Sequence, residues 1–117
     1  MHWLQALQSD FFRRRALRLR RAGNPAPALA AMRAAARHAP REQERPLLLC
    51  QQAELEVELG QTRQALETYH QAKALMKKHS HFWRVGAHQG RALEIDGAIT
   101  ALERHLAHPA PEEGDAG

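Results

Sequence analysis

Glycine and proline interrupt this chain at four clear places, and the stretches between them consist largely of strong helix formers. The interruptions are Gly23-Asn24-Pro25, Ala39-Pro40, Gly60-Gln61-Thr62 and Pro109-Ala110-Pro111. No stretch between them sustains the alternation of β-branched residues that is typical of a strand. The pattern therefore predicts an all-α fold. The expected helices lie at about 3–22, 25–38, 44–59, 62–78, 80–93 and 95–107.

The connections between these helices are short. We expect Asn24 to be an N-cap with Pro25 as the first helical residue, and Gly60 to cap the C-terminus of the helix before it. Connections of this length force neighbouring helices to run antiparallel. The six helices are therefore expected to form three hairpins, in a chain whose 117 residues are about one domain in length.

Each expected hairpin carries a pair of small residues twelve positions apart, one on each helix. Small side chains at such positions let two helices approach closely. The pairs are Ala16 with Ala28, Ala53 with Ala65, and Gly86 with Ala98. A large residue lies four positions before the first member of each pair, and another lies four positions after the second, on the same face. These large residues are Phe12, Leu49 and Phe82 before the pairs and Met32, Tyr69 and Leu102 after them.

This arrangement resembles the tetratricopeptide signature, W-x₂-L-G-x₂-Y…A-x₃-F…P, which recurs about every 34 residues. Three degenerate repeats, at about 9–42, 46–78 and 79–110, carry the resemblance. The second helix of each repeat follows the signature more closely than the first. On the first helices the leucine and the aromatic residue are replaced, by Arg15, Gln52, Val85, Glu56 and Gln89.

The resemblance implies a short right-handed solenoid of three stacked antiparallel hairpins over residues 1–108, followed by a disordered acidic tail at 109–117 that is rich in proline and glycine. Proteins of this kind usually hold a partner's peptide or helix in a concave groove lined by the first helix of each hairpin. The implied function is non-enzymatic protein binding, as an adaptor or a chaperone-like holder, without a cofactor. The groove residues carried over by position are Arg13, Leu17, Arg20, Arg21, Leu47, Cys50, Glu54, Val57, Glu58, Trp83, Ala87 and Arg91.

The charge distribution and the end of the expected solenoid suggest what such partners would be like. Residues 1–41 hold nine arginines and one aspartate, net +8, which leaves −4 for the remainder of a chain of net charge +4. An acidic partner would suit the arginine-rich end. No polar cap is visible after the last expected hairpin, so its apolar face could bind another copy of the chain or a different protein.

The first helix allows a second interpretation. Apolar residues are frequent within 3–12 and are followed at once by Arg13-Arg14-Arg15. This segment could bind an anionic membrane, or its arginines could contact nucleic-acid phosphates. We expect instead that the apolar residues pack under the first hairpin and the arginines face solvent, because Phe12, Ala16 and Leu19 already belong to the repeat pattern.

Catalytic and metal-binding signatures are not found. The chain has no glycine-rich phosphate loop, nucleophile elbow or H-E-x-x-H motif. Glu54, Glu56 and Glu58 alternate around a helix and do not converge. The pairs His79-x-His81 and His105-x₂-His108 have the spacing of metal ligands but no third ligand set nearby, and we expect them to be solvated helix-end histidines.

Composition and the remaining motifs indicate the expected compartment. Cys50 is the single cysteine, and we expect a reduced, half-buried thiol. No apolar run approaches the ~18 residues of a membrane span. At the amino terminus apolar residues precede the arginines, the reverse of a secretion signal, so we expect a cytoplasmic protein. The chain favours Ala, Arg, Leu and Gln over Ile, Lys and Asn, and this residue usage is typical of a high-GC bacterial genome.

Overall fold

The computed structural model describes residues 2–83 and 88–108, and within them the chain is all-α, as predicted, with no strand. Four long helices follow one another, then a single turn, then a fifth long helix. They are α1 (His2–Arg21), α2 (Pro25–Arg37), α3 (Arg45–Glu58), α4 (Thr62–Lys78), α5 (Ser80–Trp83) and α6 (His88–Ala107), with a short 3-10 turn at Glu42–Glu44 before α3. None of the described helices is both long and apolar enough to cross a membrane.

Glycine ends two of these helices in the same way. Gly23 and Gly60 have φ angles of +81° and +76°, in the left-handed region where a side chain would be strained. After α1 the N–H of Asn24 donates to the carbonyl of Leu19 at 2.9 Å, and after α3 the N–H of Gln61 donates to that of Glu56 at 2.8 Å. These bonds satisfy carbonyls that a helix end leaves free, so the predicted cap at Gly60 is confirmed.

The start of α2 also agrees with the sequence, apart from one detail. Pro25 is the first residue of α2 and Asn24 occupies the N-cap position. The side chain of Asn24, however, makes no capping hydrogen bond. The turn is therefore fixed by Gly23 and by the preset φ of Pro25.

The core lies where successive helices meet. The most extensive packing joins α1 to α2 and α3 to α4, and α2 also packs on α3 and α4 on α6. The first two pairs of small residues, Ala16 with Ala28 and Ala53 with Ala65, have no exposed surface. Their flanking large residues belong to the same core cluster or pack against it, namely Phe12, Met32, Leu49 and Tyr69. The predicted burial of these positions is confirmed.

The prediction for the last two helices is wrong. Helices at 80–93 and 95–107 were expected, but α5 is one turn at Ser80–Trp83 and α6 runs without a break from His88 to Ala107. Residues 88–107 contain no proline, and neither Gly90 nor Gly97 adopts a positive φ, so nothing ends the helix near residue 94. Ile95 and Ile99 hold α6 against the core. The expected small partner Gly86 and the tail at 109–117 lie outside the described residues.

Candidate binding groove

Three helices, α1, α3 and α6, share one face of the molecule, which we call the groove face. Side chains link α1 to α3 at two levels along it. Arg13 Nε donates to Gln51 Oε1 at 3.3 Å. About two helical turns further along α1, Arg20 contacts two carboxylates of α3. The two helices thus lie side by side on this face, although each packs its core side against α2 or α4.

The guanidinium of Arg20 lies between Glu54 and Glu58. Its Nε donates to Glu58 Oε1 at 2.8 Å and its Nη1 donates to Glu54 Oε2 at 3.3 Å. The hydrogen bond to Glu58 is the main reason why the pKa of Arg20 is raised above its ordinary value. Two carboxylates four residues apart on a bare helix repel each other. Arg20 offsets that repulsion, so the middle of the groove face is less acidic than the sequence alone implies.

A first depression opens between α1, α3 and α5, with a volume of about 430 Å³. Leu47, Leu48 and Phe82 give it an apolar floor, and Arg13 and Arg91 are among the polar residues at its edge. A volume of this size accommodates one or two large side chains of a ligand. Apolar burial with charge at the rim is the usual composition of a protein-binding patch.

A second, smaller depression of about 170 Å³ adjoins the first, because Arg91 lines both. Its other walls come from α3, α4 and α6 and include Cys50, Glu54, Tyr69 and Glu94. Burial raises the pKa of the Cys50 thiol to about 12, with a further contribution from the charge of Glu54. Burial likewise raises the pKa of Tyr69 to about 12. Both groups therefore stay protonated at neutral pH and act here as uncharged packing groups.

The structure brings most of the sequence-predicted groove residues to this face. Arg13, Leu47 and Arg91 line the first depression, while Cys50 and Glu54 line the second with Arg91. The others are placed differently. Arg20 and Glu58 form the ion pair described above. Val57 and Arg21 are exposed but line neither depression. Leu17 is half-buried, and its carbonyl accepts a hydrogen bond from Arg21.

The structure contradicts the prediction that Trp83 lines the groove. It was expected in the groove, but it is 3% exposed and belongs to the core. Its Nε1 donates to the carbonyl of Gln43 at 3.1 Å, so the indole is satisfied inside the molecule. It anchors the one-turn helix α5 under the 3-10 turn. Ala87, the remaining predicted residue, lies outside the described residues.

Sequence reasoning missed several residues of the groove face, among them Phe82, Tyr69 and Glu94. Phe82 and Tyr69 were assigned to repeat packing alone, yet each also lines a depression. Glu94 was placed at the junction between two helices. An uninterrupted helix over 88–107 would have put Glu94 one turn after Arg91, on the same side.

The amino-terminal half of α1 forms a second exposed feature, which we call the apolar stripe. Its members were expected to pack under the first hairpin, and this expectation is wrong. Ser9 Oγ donates to the carbonyl of Ala35 at 2.9 Å, two residues before α2 ends at Arg37, so the first two turns of α1 extend past α2. Phe12 turns inward and stacks on His38. The stripe consists of Trp3, Leu4, Leu7 and Phe11, which are 44% to 62% exposed.

Arginines follow the apolar stripe on the same side of α1. Arg14 and Arg18 line a shallow depression together with Leu7 and Phe11, and Arg14 pairs with Asp10 at 2.9 Å. Hydrophobic residues come first along this face and basic residues second. Such a surface is amphipathic along its length.

The described residues contain no group of three or more His, Cys, Asp or Glu side chains that could hold a metal ion. The chain matches no protein-family model, and comparisons with curated proteins and with solved structures likewise find no significant match.

Proposed function

We propose that this protein is a non-catalytic protein-binding module of tetratricopeptide-like design, an adaptor or chaperone-like holder. Two features support the assignment of α1 to α4 as two stacked antiparallel hairpins. The start of α1 is bonded to the end of α2 through Ser9 and Ala35, and the alanines of both crossings are fully buried. In this proposal α6 takes the place of the third hairpin and supplies the last wall of the groove.

One observation carries the proposal: the two adjoining depressions on the groove face, joined at Arg91. The ligand that fits them is a helix or extended peptide with a large apolar side chain for the floor formed by Leu47 and Phe82. Charges of both signs at the rim suit a mixed partner, since Arg13 and Arg91 line the first depression and Glu94 lines the second with Arg91.

The test is affinity capture from cell extract, followed by quantitative mass spectrometry. The variant is Arg91→Glu, which reverses a charge shared by both depressions, and the matched control is Arg104→Glu, an exposed arginine further along the same helix. A partner retained by the wild type and by Arg104→Glu, but depleted about tenfold or more by Arg91→Glu, is the expected result. Capture of no protein, or equal depletion by both variants, would overturn the proposal.

A second candidate function is binding to an anionic membrane surface through the apolar stripe. The exposure of Trp3, Leu7 and Phe11 next to Arg14 and Arg18 favours it, because apolar residues can enter the lipid while arginines contact headgroup phosphates. Nucleic acid would use the arginines alone.

Vesicle binding separates these candidates. Trp3 fluorescence should shift to the blue with phosphatidylglycerol vesicles and not with phosphatidylcholine vesicles, since Trp83 is already buried. Phe11→Gln should weaken this binding, whereas Leu93→Gln, which removes an exposed leucine of α6, should not. Binding to duplex DNA that falls steeply with salt and ignores Phe11→Gln would instead support the nucleic-acid version.

A further inference from the structure

Three arginines from two helices surround a depression on the other side of α3, which we call the arginine pocket. Arg33 and Arg37 of α2 and Arg45 at the start of α3 line it, together with Gln52 and Gln71. Its volume is about 550 Å³. Amide and guanidinium groups therefore form most of its polar wall, and both kinds of group can donate hydrogen bonds.

The arginine pocket is separate from the groove face. On α3 the groove face uses Cys50 and Glu54, whereas the arginine pocket uses Arg45, Leu49 and Gln52. Each helical residue turns the side chain by about 100°, so these two sets lie on opposite sides of the helix. No residue lines both sites. A ligand of the pocket could bind while the groove is occupied.

Arg33 is held in position from beneath by a buried carboxylate. Its Nη2 donates to Glu56 Oε2 at 3.1 Å, and the side chain of Glu56 has no exposed surface, whereas that of Arg33 remains 39% exposed. The guanidinium is thus anchored on its buried side and open on the other. An arginine that is pre-oriented in this way loses less conformational entropy when it binds a ligand.

Arg45 supplies an independent observation. Its Nε is buried, yet it has no hydrogen-bond partner among the described residues. A buried donor without an acceptor is costly, so the Arg45 guanidinium is not fully satisfied by the protein itself. Glu42, on the neighbouring 3-10 turn, is attracted by the charge of Arg45, but its carboxylate lies 2.8 Å from Lys78 Nζ and 3.7 Å from His79 Nε2. Glu42 is therefore not a hydrogen-bond acceptor for Arg45 Nε.

We propose that the arginine pocket binds a phosphate group. Among the described residues, three guanidinium groups and no carboxylate line the pocket. Although Glu56 pairs with Arg33 and Glu42 attracts Arg45, the lining keeps an excess of positive charge that suits a phosphate dianion. Phosphate also offers three terminal oxygens to donors that approach from different helices, and arginine recognises it in bidentate geometry. The group is carried either by a small phosphorylated molecule or by a phosphorylated side chain of a protein.

The test is a titration of the full chain followed by ¹H–¹⁵N NMR. The probes are inorganic phosphate and a phosphoserine peptide with neutral flanking residues, at constant ionic strength set with chloride. Both should shift the backbone amide signals of Arg37 and Gln52 and the side-chain Nε–H signal of Arg45. Tighter binding of the peptide would assign the source to a protein, and equal binding would assign it to a small molecule.

The variant is Arg37→Gln, and Arg104→Gln is its control. Arg37 is exposed and has no ion-pair partner in the described part of the chain, so the fold should tolerate its loss. Phosphate affinity should fall about tenfold or more in Arg37→Gln and stay unchanged in Arg104→Gln, as expected for one charged hydrogen-bond donor. Equal affinities in the two variants, or shifts spread over Arg14 and Arg18 as well, would overturn the proposal and leave the groove proposal unaffected.

Discussion

Glu56 shows how far one side chain can depart from the role its position suggests. The repeat pattern places an aromatic residue there, and a glutamate would be expected in solvent. The structure buries it completely beneath α2, where Oε2 accepts a hydrogen bond from Arg33 and Oε1 has no partner among the described residues. A buried carboxylate is tolerated only when it is paired, so the pair depends on Arg33.

Replacing Arg33 by glutamine should therefore destabilise the protein by about 2–3 kcal/mol, somewhat below the full cost of breaking a buried ion pair because Arg33 is partly exposed. Urea denaturation monitored by circular dichroism would measure the loss. Arg37→Gln, on the same helix, should change the free energy of unfolding by less than about 0.5 kcal/mol. The double variant Arg33→Gln/Glu56→Gln should be more stable than Arg33→Gln alone. A double variant that is no more stable would contradict this account of the pair.

Cys50 leads to a prediction about reactivity. Its pKa of about 12 means that very little thiolate is present at pH 8, whereas an unfolded cysteine with a pKa near ~8.5 is partly ionised. Alkylation by iodoacetamide should be much slower in the native protein than in urea, and it should accelerate as pH rises towards 12. Because the folded pKa is the higher one, this thiol leaves stability unchanged below its unfolded pKa of ~8.5 and lowers stability progressively as pH rises from there to about 12. Equal alkylation rates in native and unfolded protein at pH 8 would show that burial does not control the thiol.

At the level of elements, the close crossing of α1 and α2 depends on side-chain size. Ala28 is fully buried at this crossing, while Ala30, on the same helix, is exposed. Ala28→Leu should lower the free energy of unfolding by about 1–3 kcal/mol through overpacking, and Ala30→Leu should change it little. Thermal denaturation of both variants would measure the difference. Similar melting temperatures for the two would mean that the helices do not meet at Ala28.

The continuity of α6 is testable with proline. Leu93 lies within α6 and is 68% exposed, so its side chain contributes little to the core. Leu93→Pro should cost about 3 kcal/mol, since proline removes a helical hydrogen bond and clashes with the preceding turn. Leu93→Ala controls for loss of the side chain. If proline were tolerated as well as alanine, the two-helix arrangement first expected for this segment would be favoured.

At the level of elements, the sequence could predict only features that depend on residues close together in the chain. The bounds of α2 and α4, the glycine turn after α3 and the buried alanines depend on residues close together in the chain. The length of α6 was mispredicted because the repeat pattern was extended over a stretch that contains no stop signal. The exposure of Trp3 and Leu7 could not be predicted either, since it depends on where α2 ends in space.

The groove face could be predicted only in part, for a similar reason. Its α3 residues Cys50 and Glu54 follow from helical periodicity once the repeat is assigned. The burial of Trp83 and the ion pair between Arg20 and Glu58 depend instead on how separate helices pack against each other. Sequence patterns describe one helix at a time, so such contacts lie beyond them.

The whole molecule distributes its basic charge over separate surfaces. Arg20, on the groove face, is largely neutralised by α3, whereas Arg14 and Arg18 face outward beside the apolar stripe and Arg33 and Arg37 face the arginine pocket. The excess charge of the amino-terminal third therefore does not form one continuous field. Partners that bind at different faces would respond to salt independently.

The shape is elongated, with extents of 58 × 32 × 19 Å and a radius of gyration of 15.7 Å, above the roughly 13 Å expected for a compact chain of this length. The elongation follows from packing in which each helix chiefly meets the helices next to it in sequence. Such contacts close short loops, which favours fast folding.

Stability should consequently vary along the molecule. Amide hydrogen exchange should be slowest in α2, α3 and α4, each of which packs between two others, and fastest before Ser9 and in the last turns of α6. Uniform protection across all helices would contradict this expectation. A chain built in this way can lose and regain its ends without unfolding its centre, so the segment that carries the apolar stripe can reorganise around a partner while α2 to α4 stay folded.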